Sequence, residues 1–514
     1  MLEEIIACFL SLFSALTLDA PRLSREMDDN TSLSEQCTRY TWEDKIHREY
    51  VAFAEENLQS ETEYVQLGYE LGNKPGYIQS LFRSLKANFT ITLAVLPLVL
   101  IGMALIYFDL RTTDLCSECR NKNYTLSFDV RRIRLLGKGV ASVILYLSFP
   151  LILSVLFGWS EFKRHYSSTI LVGQLAGLFN TLYICFVFLY GADNYYVPGV
   201  SFAIATLWEC VIVVRKIRQS HPTVSYSDRH IFTTVAVPFL STFAMAMFYN
   251  YAVVKWFNSL DNVLYRFILA MLTPTLALMP TAICKHMALW RTSEIIEPER
   301  SWALVYFIRA IFITLYRIMQ ADFENIWLFV GLSILSGVSS LLKTTTVGIR
   351  EKVWARVIRF LNRTCCTRLQ HLPGNTPHHR RLKADTEIQN ILFKNNSLIL
   401  SQSYIVLYRI INFQLCDWSV AKSSLIRIAI GLVIEFVFNI LSTFIRIHWH
   451  DIPIARVWSK YWKRHVFANG IVVAILVCYF TRSLLAIFQY RFHDTSVTGN
   501  FTIRNCTLPY ERWR

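Results

Sequence analysis

Charge is what this sequence has little of. Only 17% of its 514 residues are Asp, Glu, Lys or Arg, against about 25% in an ordinary soluble protein. A soluble chain of this length would carry more charge and divide into several domains, so that class is excluded. Enzyme signatures are missing too. There is no Walker loop, Gly-x-Ser-x-Gly elbow or His-Glu-x-x-His pair, and the nucleotide, serine-hydrolase and zinc-protease chemistries they serve have no carrier residues. Cys-x-x-Cys occurs as Cys116-Ser-Glu-Cys119, without a second copy or a nearby histidine, so no four-ligand metal set is at hand. Basic residues are not interleaved with aromatics into a groove, which excludes nucleic acid as a partner. No cofactor and no metal is expected.

Present instead are long apolar runs. Eleven stretches of about 17–25 mostly apolar residues match the thickness of a bilayer core. They are 91–109, 139–159, 169–190, 196–214, 231–255, 263–289, 302–318, 326–343, 397–415, 425–446 and 468–488. The expected fold is therefore all-α: a polytopic integral membrane protein of about eleven transmembrane helices, with the lipid bilayer as its first partner. The ninth run is the weakest, diluted by Ser397, Ser401, Gln402, Ser403 and Arg409, and a re-entrant segment is its alternative. Residues 5–18 are apolar but short and begin Met-Leu-Glu-Glu. That reads as an amphipathic or buried helix, with a cleaved signal peptide as the alternative.

The net charge of +15 is unevenly spread. Residues 1–80 hold fifteen acidic and six basic side chains, leaving +24 for the remainder. The surplus falls in loops beside helix ends: Lys163 and Arg164; Arg215, Lys216, Arg218 and Arg229; 344–396; and Arg456, Lys460, Lys463 and Arg464. Lys/Arg bias marks cytoplasmic loops. It places the N-terminus inside and the C-terminus outside, in a plasma membrane or endomembrane. Five segments follow: an acidic cytoplasmic segment 1–88, spans one to eight in 89–343, a basic cytoplasmic loop 344–396, spans nine to eleven in 397–490, and an outer tail 491–514. The acidic segment is expected to dock on the basic loop. Sequons at Asn500 and Asn505 fit an outer tail, as Asn123 fits an outer loop. That loop, 110–138, disagrees in charge, since it carries Arg131, Arg132, Arg134 and Lys138.

Twelve cysteines are scattered. Cys185, Cys210, Cys284 and Cys478 lie within spans and read as packing residues. Cys116, Cys119, Cys416 and Cys506 fall on the expected outer side, an even number that suits two disulfides. Cys365-Cys366, flanked by Arg363 and Arg368, suits lipidation on the cytoplasmic side.

Function must be read from charges inside the membrane. Arg266, Arg309, Arg317, Arg409, Arg427 and Arg482 fall within spans, and five of the six lie in the outer half. A buried arginine costs about 2.5–3.5 kcal/mol at a helix centre on insertion scales. The carboxylates deep in spans are Glu209 and Glu435, too few to neutralise six guanidiniums. Arg266 and Arg427 are near span starts and can snorkel. Arg309, Arg317, Arg409 and Arg482, with Glu209 and Glu435, are the candidate pathway residues. Guanidinium stays charged at low dielectric and grips carboxylate or phosphate with two bonds. Pro97, Pro150, Pro238, Pro274 and Pro280 interrupt spans, two of them in span six, as helices lining a cavity do. Leu315-Tyr-Arg-Ile318 recurs as Leu407-Tyr-Arg-Ile410, each followed by Asp, Trp and a Gly-Leu-x-Ile start at Gly331 and Gly431, the order a duplicated transporter unit would have. The expected function is a transporter or channel for an anionic solute or lipid. The alternatives are a non-enzymatic receptor with a ligand-binding outer face, and a lipid-modifying enzyme using His448, His450 and Asp451. The two histidines are two apart, about 200° around a helix and a poor chelate.

Overall fold

The computed structural model describes residues 76–114, 128–190, 196–220, 226–290, 295–297, 299–349, 352, 353, 356, 377–413 and 418–496. Eleven long helices form the bundle: α1 Tyr77–Thr112, α2 Leu135–Phe157, α3 Ser168–Phe186, α4 Val197–Ser220, α5 Asp228–Ser259, α6 Val263–Leu289, α7 Ala303–Asp322, α8 Ile326–Thr345, α9 Pro377–Phe413, α10 Trp418–His448 and α11 Ile454–Phe480. Ten are long and apolar enough to cross a bilayer, and α9 is the exception. No strand occurs among the described residues. The protein is an all-α, multi-pass membrane protein.

Proline positions the bends. Regular helix is interrupted at Ala94, Leu147 and Ala277, in each case three residues before a proline (Pro97, Pro150, Pro280). A proline ring lacks the N–H for the i−4 carbonyl and clashes with it, so the preceding turn opens. Pro238 and Pro274 lie inside continuous helix.

The helix ends share a common frame. α1, α7, α9 and α11 start at one end of the bundle, where α8 and α10 finish. Ser80 Oγ faces His448 Nδ1 at 3.4 Å, Arg380 reaches Asp451 at 2.9 Å, and Thr344 Oγ1 meets Ser442 Oγ at 3.1 Å. At this end Trp159, Trp449 and Trp462 are exposed; at the other, Trp256, Trp327 and Trp418 are. Exposed tryptophans at both ends of helices of about 30 Å are the aromatic belts of a bilayer protein.

α9 is the axis. It has no proline or glycine after Pro377, so nothing breaks its 37 residues, about 55 Å of helix. α1, α7, α10 and α11 pack around it, and Asp385, Gln389, Asn396 and Gln402 are fully buried. This corrects two boundaries. Residues 377–396, read from the sequence as loop, are helical and form the largely buried first half of α9, where Arg381 meets Asp385 and Lys394 meets Glu435. The helix is continuous from Pro377 to Phe413. Likewise 77–88 belong to α1, whose Ser84 donates to the Ile440 carbonyl of α10 at 2.9 Å. The rest of the acidic segment and residues 357–376 of the basic loop lie outside the described residues, and so does their proposed dock.

The two repeat-like units are neighbours. α7 and α9 run the same way and pack together, with the Tyr306 and Phe393 rings 6.1 Å apart, and α8 packs on α10.

Candidate functional site

At mid-bundle, α7, α9 and α10 each contribute a charge. Arg317 and Glu435 are 1% and 0% exposed and form an ion pair through Arg317 Nη2. Lys394 Nζ lies 3.5 Å from the other Glu435 oxygen, with its side chain 16% exposed. Glu435 is 17 residues from one end of α10 and 13 from the other, so the carboxylate sits near the middle of the helix. Arg317 is further fixed by Gln320, whose Oε1 accepts from Nη1 at 2.6 Å. Gln320 in turn donates to the Phe329 carbonyl at 2.8 Å and Ser333 Oγ at 2.6 Å on α8. Two cations thus face one buried carboxylate. One and two turns beyond Lys394, Ser397 and Ser401 line a cavity of about 40 Å³ with Thr314 and Ile318 of α7 and Val473 and Phe480 of α11.

Below it a second polar system follows α9. Asp385 takes Arg381 Nε at 2.9 Å and faces His465 Nε2 at 3.1 Å, off the ideal hydrogen-bond direction. Gln389 Nε2 approaches both His465 Nδ1 (2.9 Å) and the His465 carbonyl (3.0 Å). Asn469 Nδ2 donates to Gln389 Oε1 at 3.1 Å and to the Tyr306 hydroxyl at 2.7 Å. Asn396 Nδ2 donates to Asn469 Oδ1 at 2.6 Å. Asp385, His465, Gln389, Asn469, Tyr306 and Asn396 are buried, and the hydrogen bonds are continuous from His465 to Asn396. A third group pairs Glu387 with Arg446 at 3.1 Å, beside Thr344 and Ser442.

The sequence-predicted residues are divided by the structure. Arg317 and Glu435 come together, as partners of each other. Arg309 lies two turns earlier on α7 and is half-buried. Glu209, 1% exposed on α4, is remote from this network: its Oε1 has no hydrogen-bond partner, and a methyl on Gly173 would lie 3.2 Å from it. The side chains of Arg409 and Arg482 lie outside the described structure. So do Asn123, Asn500, Asn505, Cys116, Cys119, Cys416, Cys506, Cys365 and Cys366. Cys185, Cys210, Cys284 and Cys478 are free thiols.

Arg266 and Arg427 do not only snorkel. Arg266 lies 3.8 Å from Asp322, and Arg427 donates to the Phe323 carbonyl at 2.7 Å and to that of Glu324. Both close the turn between α7 and α8. His448, His450 and Asp451 diverge: His448 stacks on Tyr77 and Phe444, His450 faces the Thr344 carbonyl, and Asp451 turns to Arg380 with φ of 50°. They form no common site, and among the described residues no three His, Cys, Asp or Glu side chains gather as metal ligands.

Sequence reasoning missed Lys394, Gln389, Asn396, His465 and Asn469. A signal was available. Asp385, Gln389 and Asn396 recur at i, i+4 and i+11, one helix face, in a run without proline or glycine.

No protein family, curated protein or solved structure matches this chain.

Proposed function

We propose that the protein is a membrane transporter for a small anion, and that the Arg317–Glu435–Lys394 group is where the anion binds. One observation carries this reading: two cations share a single buried carboxylate near the middle of α10. Intramembrane charge is expensive and is compensated, and a surplus positive charge among helices is compensated by a mobile anion. The three groups divide the work. Arg317 is locked by Glu435 and Gln320 and holds the carboxylate in place. Lys394 is the partly exposed member and exchanges Glu435 for solute. An ammonium on a flexible stem suits that exchange better than a guanidinium held by two partners.

The test is solid-supported-membrane electrophysiology on proteoliposomes, with jumps of chloride, inorganic phosphate or a small dicarboxylate. Wild type is expected to give a saturable current with at least one of them. Lys394→Met should remain monodisperse and lose that current, with Lys394→Arg retaining part of it. Wild type inserted correctly yet silent for all three anions, or Lys394→Met conducting like wild type, overturns the reading.

A further inference from the structure

The buried chain from Asp385 to Asn396 has a single polarity, and one atom sets it. A backbone carbonyl only accepts, so the Gln389 atom 3.0 Å from the His465 carbonyl is the NH₂ group. Gln389 Oε1 therefore faces Asn469, which must present its own NH₂. Asn469 Oδ1 then faces Asn396, which must again present NH₂. At the other end the Gln389 NH₂ points at His465 Nδ1, so Nδ1 carries a lone pair and the ring proton is on Nε2, toward Asp385. Every group donates in the direction of Asp385. What is left over is an acceptor at the far end: Asn396 Oδ1 is buried and has no hydrogen-bond partner, a costly state for an amide oxygen.

We propose that His465 is a proton-binding site, and that a proton on its Nδ1 reverses the whole amide chain and turns Asn396 from an acceptor into a donor. An Nδ1–H cannot face an NH₂, so Gln389 rotates and offers Oε1. Its NH₂ then meets Asn469, which rotates to offer Oδ1, a group the Tyr306 hydroxyl can equally donate to. The Asn469 NH₂ now meets Asn396, which rotates so that its orphaned Oδ1 accepts. The freed Asn396 NH₂ takes the place of the former acceptor. No covalent bond changes except N–H at Nδ1, and the proton comes from water.

The two states are not equal, which makes this a switch. Reversal sets Gln389 Oε1 against the His465 carbonyl, so the neutral ring keeps the chain in its present direction. The charged groups around the ring are Asp385 and Arg381 from α9 and Arg464 from α11 itself, with Glu299 and Arg300 ahead of α7; Trp302 lies 5.1 Å away at the N-cap of α7, and α7 presents Tyr306. Asp385 stabilises an imidazolium, and the guanidiniums oppose it. From Asp385 to Asn396 the signal covers eleven residues of α9, about 16 Å. A terminal acceptor repels anions and a terminal donor attracts them, so proton loading would favour anion loading; that last step rests on the transport reading, while the switch does not.

The test reads the histidine and no transport. The full-length protein, labelled with ¹⁵N at histidine and asparagine in nanodiscs, is titrated by solid-state NMR, with His465 assigned by difference from His465→Asn. At high pH the ring should carry its proton on Nε2, and the Asn396 side-chain amide signal should move in step as His465 takes up a proton. Asn396→Asp offers only acceptor atoms when ionised and favours the reversed chain, so it should raise the His465 midpoint. Asn395→Asp places the same charge one residue away, on a side chain that faces Thr92 of α1 instead, and controls for plain electrostatics. The midpoint in Asn396→Asp should exceed that in Asn395→Asp by about one pH unit, a tenfold difference in proton affinity, and Gln389→Leu should abolish the excess. An Nδ1–H ring at high pH, an Asn396 amide indifferent to His465, or equal midpoints in the two aspartate variants overturns the proposal. The wild-type signals decide it even where a variant does not fold.

Discussion

Gly431 of α10 lies under Leu398 of α9: a methyl group there would sit 2.8 Å from Leu398 Cδ2 and 3.4 Å from Phe329 Cζ of α8. Leu398 and Phe329 are fully buried, so neither end can swing away. Gly331, its counterpart in the repeat-like unit, has nothing within 4 Å of the same position.

Gly431→Val is therefore expected to destabilise by about 1–3 kcal/mol through overpacking. Gly331→Val should stay within about 0.5 kcal/mol, as an uncrowded substitution does. Thermal unfolding followed by size-exclusion monodispersity in detergent compares the two. Equal midpoints would mean that α9 and α10 are not packed at this contact.

Arg317→Met leaves Glu435 buried with Lys394 alone. Removing one partner of a buried pair costs about 3–5 kcal/mol, so surface expression should collapse. Arg317→Met with Glu435→Gln should recover most of it, since Lys394 can still reach water through its exposed edge. The coupling in this double-mutant cycle should reach about 0.5–3 kcal/mol, read from thermal midpoints of purified protein. Additive losses would dissolve the pair.

Glu209 behaves oppositely. Its Oε1 has no hydrogen-bond partner at 1% exposure, and an unpaired ionised carboxylate is costly in an apolar setting. Glu209→Gln should leave the thermal midpoint unchanged or higher, where Glu435→Gln lowers it. A loss of several degrees at Glu209→Gln would reveal a charge partner.

The tail placed outside by charge bias is checked by glycosylation. Peptide-glycosidase should increase the gel mobility of wild type from cells but not of Asn500→Gln/Asn505→Gln. A C-terminal tag protected from external protease in intact cells would reverse the assignment.

Ten spans were legible because apolar length is a one-dimensional property: ten of the eleven stretches overlap helices long and apolar enough to cross a bilayer. The weakest, 397–415, falls on the second half of α9 as far as Phe413. What composition hid is its first half. Asp385, Glu387 and Lys394 read as loop because the partners that keep them dry, His465, Arg446 and Glu435, are 80, 59 and 41 residues further on. The Arg317–Glu435 contact is hidden in the same way, across 118 residues. Both residues were singled out as costly charges, yet cost alone does not say which of six arginines is paired. The proline bends at Ala94, Leu147 and Ala277 needed no tertiary knowledge, since the i−4 carbonyl belongs to the same helix.

The polarity of α9 also constrains how the protein is made. A segment bearing Asp385, Glu387, Gln389, Lys394 and Asn396 has no reason to leave an insertion channel for lipid by itself. Tyr306 and Arg317 precede it in synthesis, but Glu435, Arg446, His465 and Asn469 have not yet been translated when it emerges. α9 must wait in water, at the channel or beside α7 until about 70 more residues arrive, and only then close into the bundle. A nascent chain ending at Phe413 carries nine of the eleven long helices and none of the partners that α10 and α11 supply to α9.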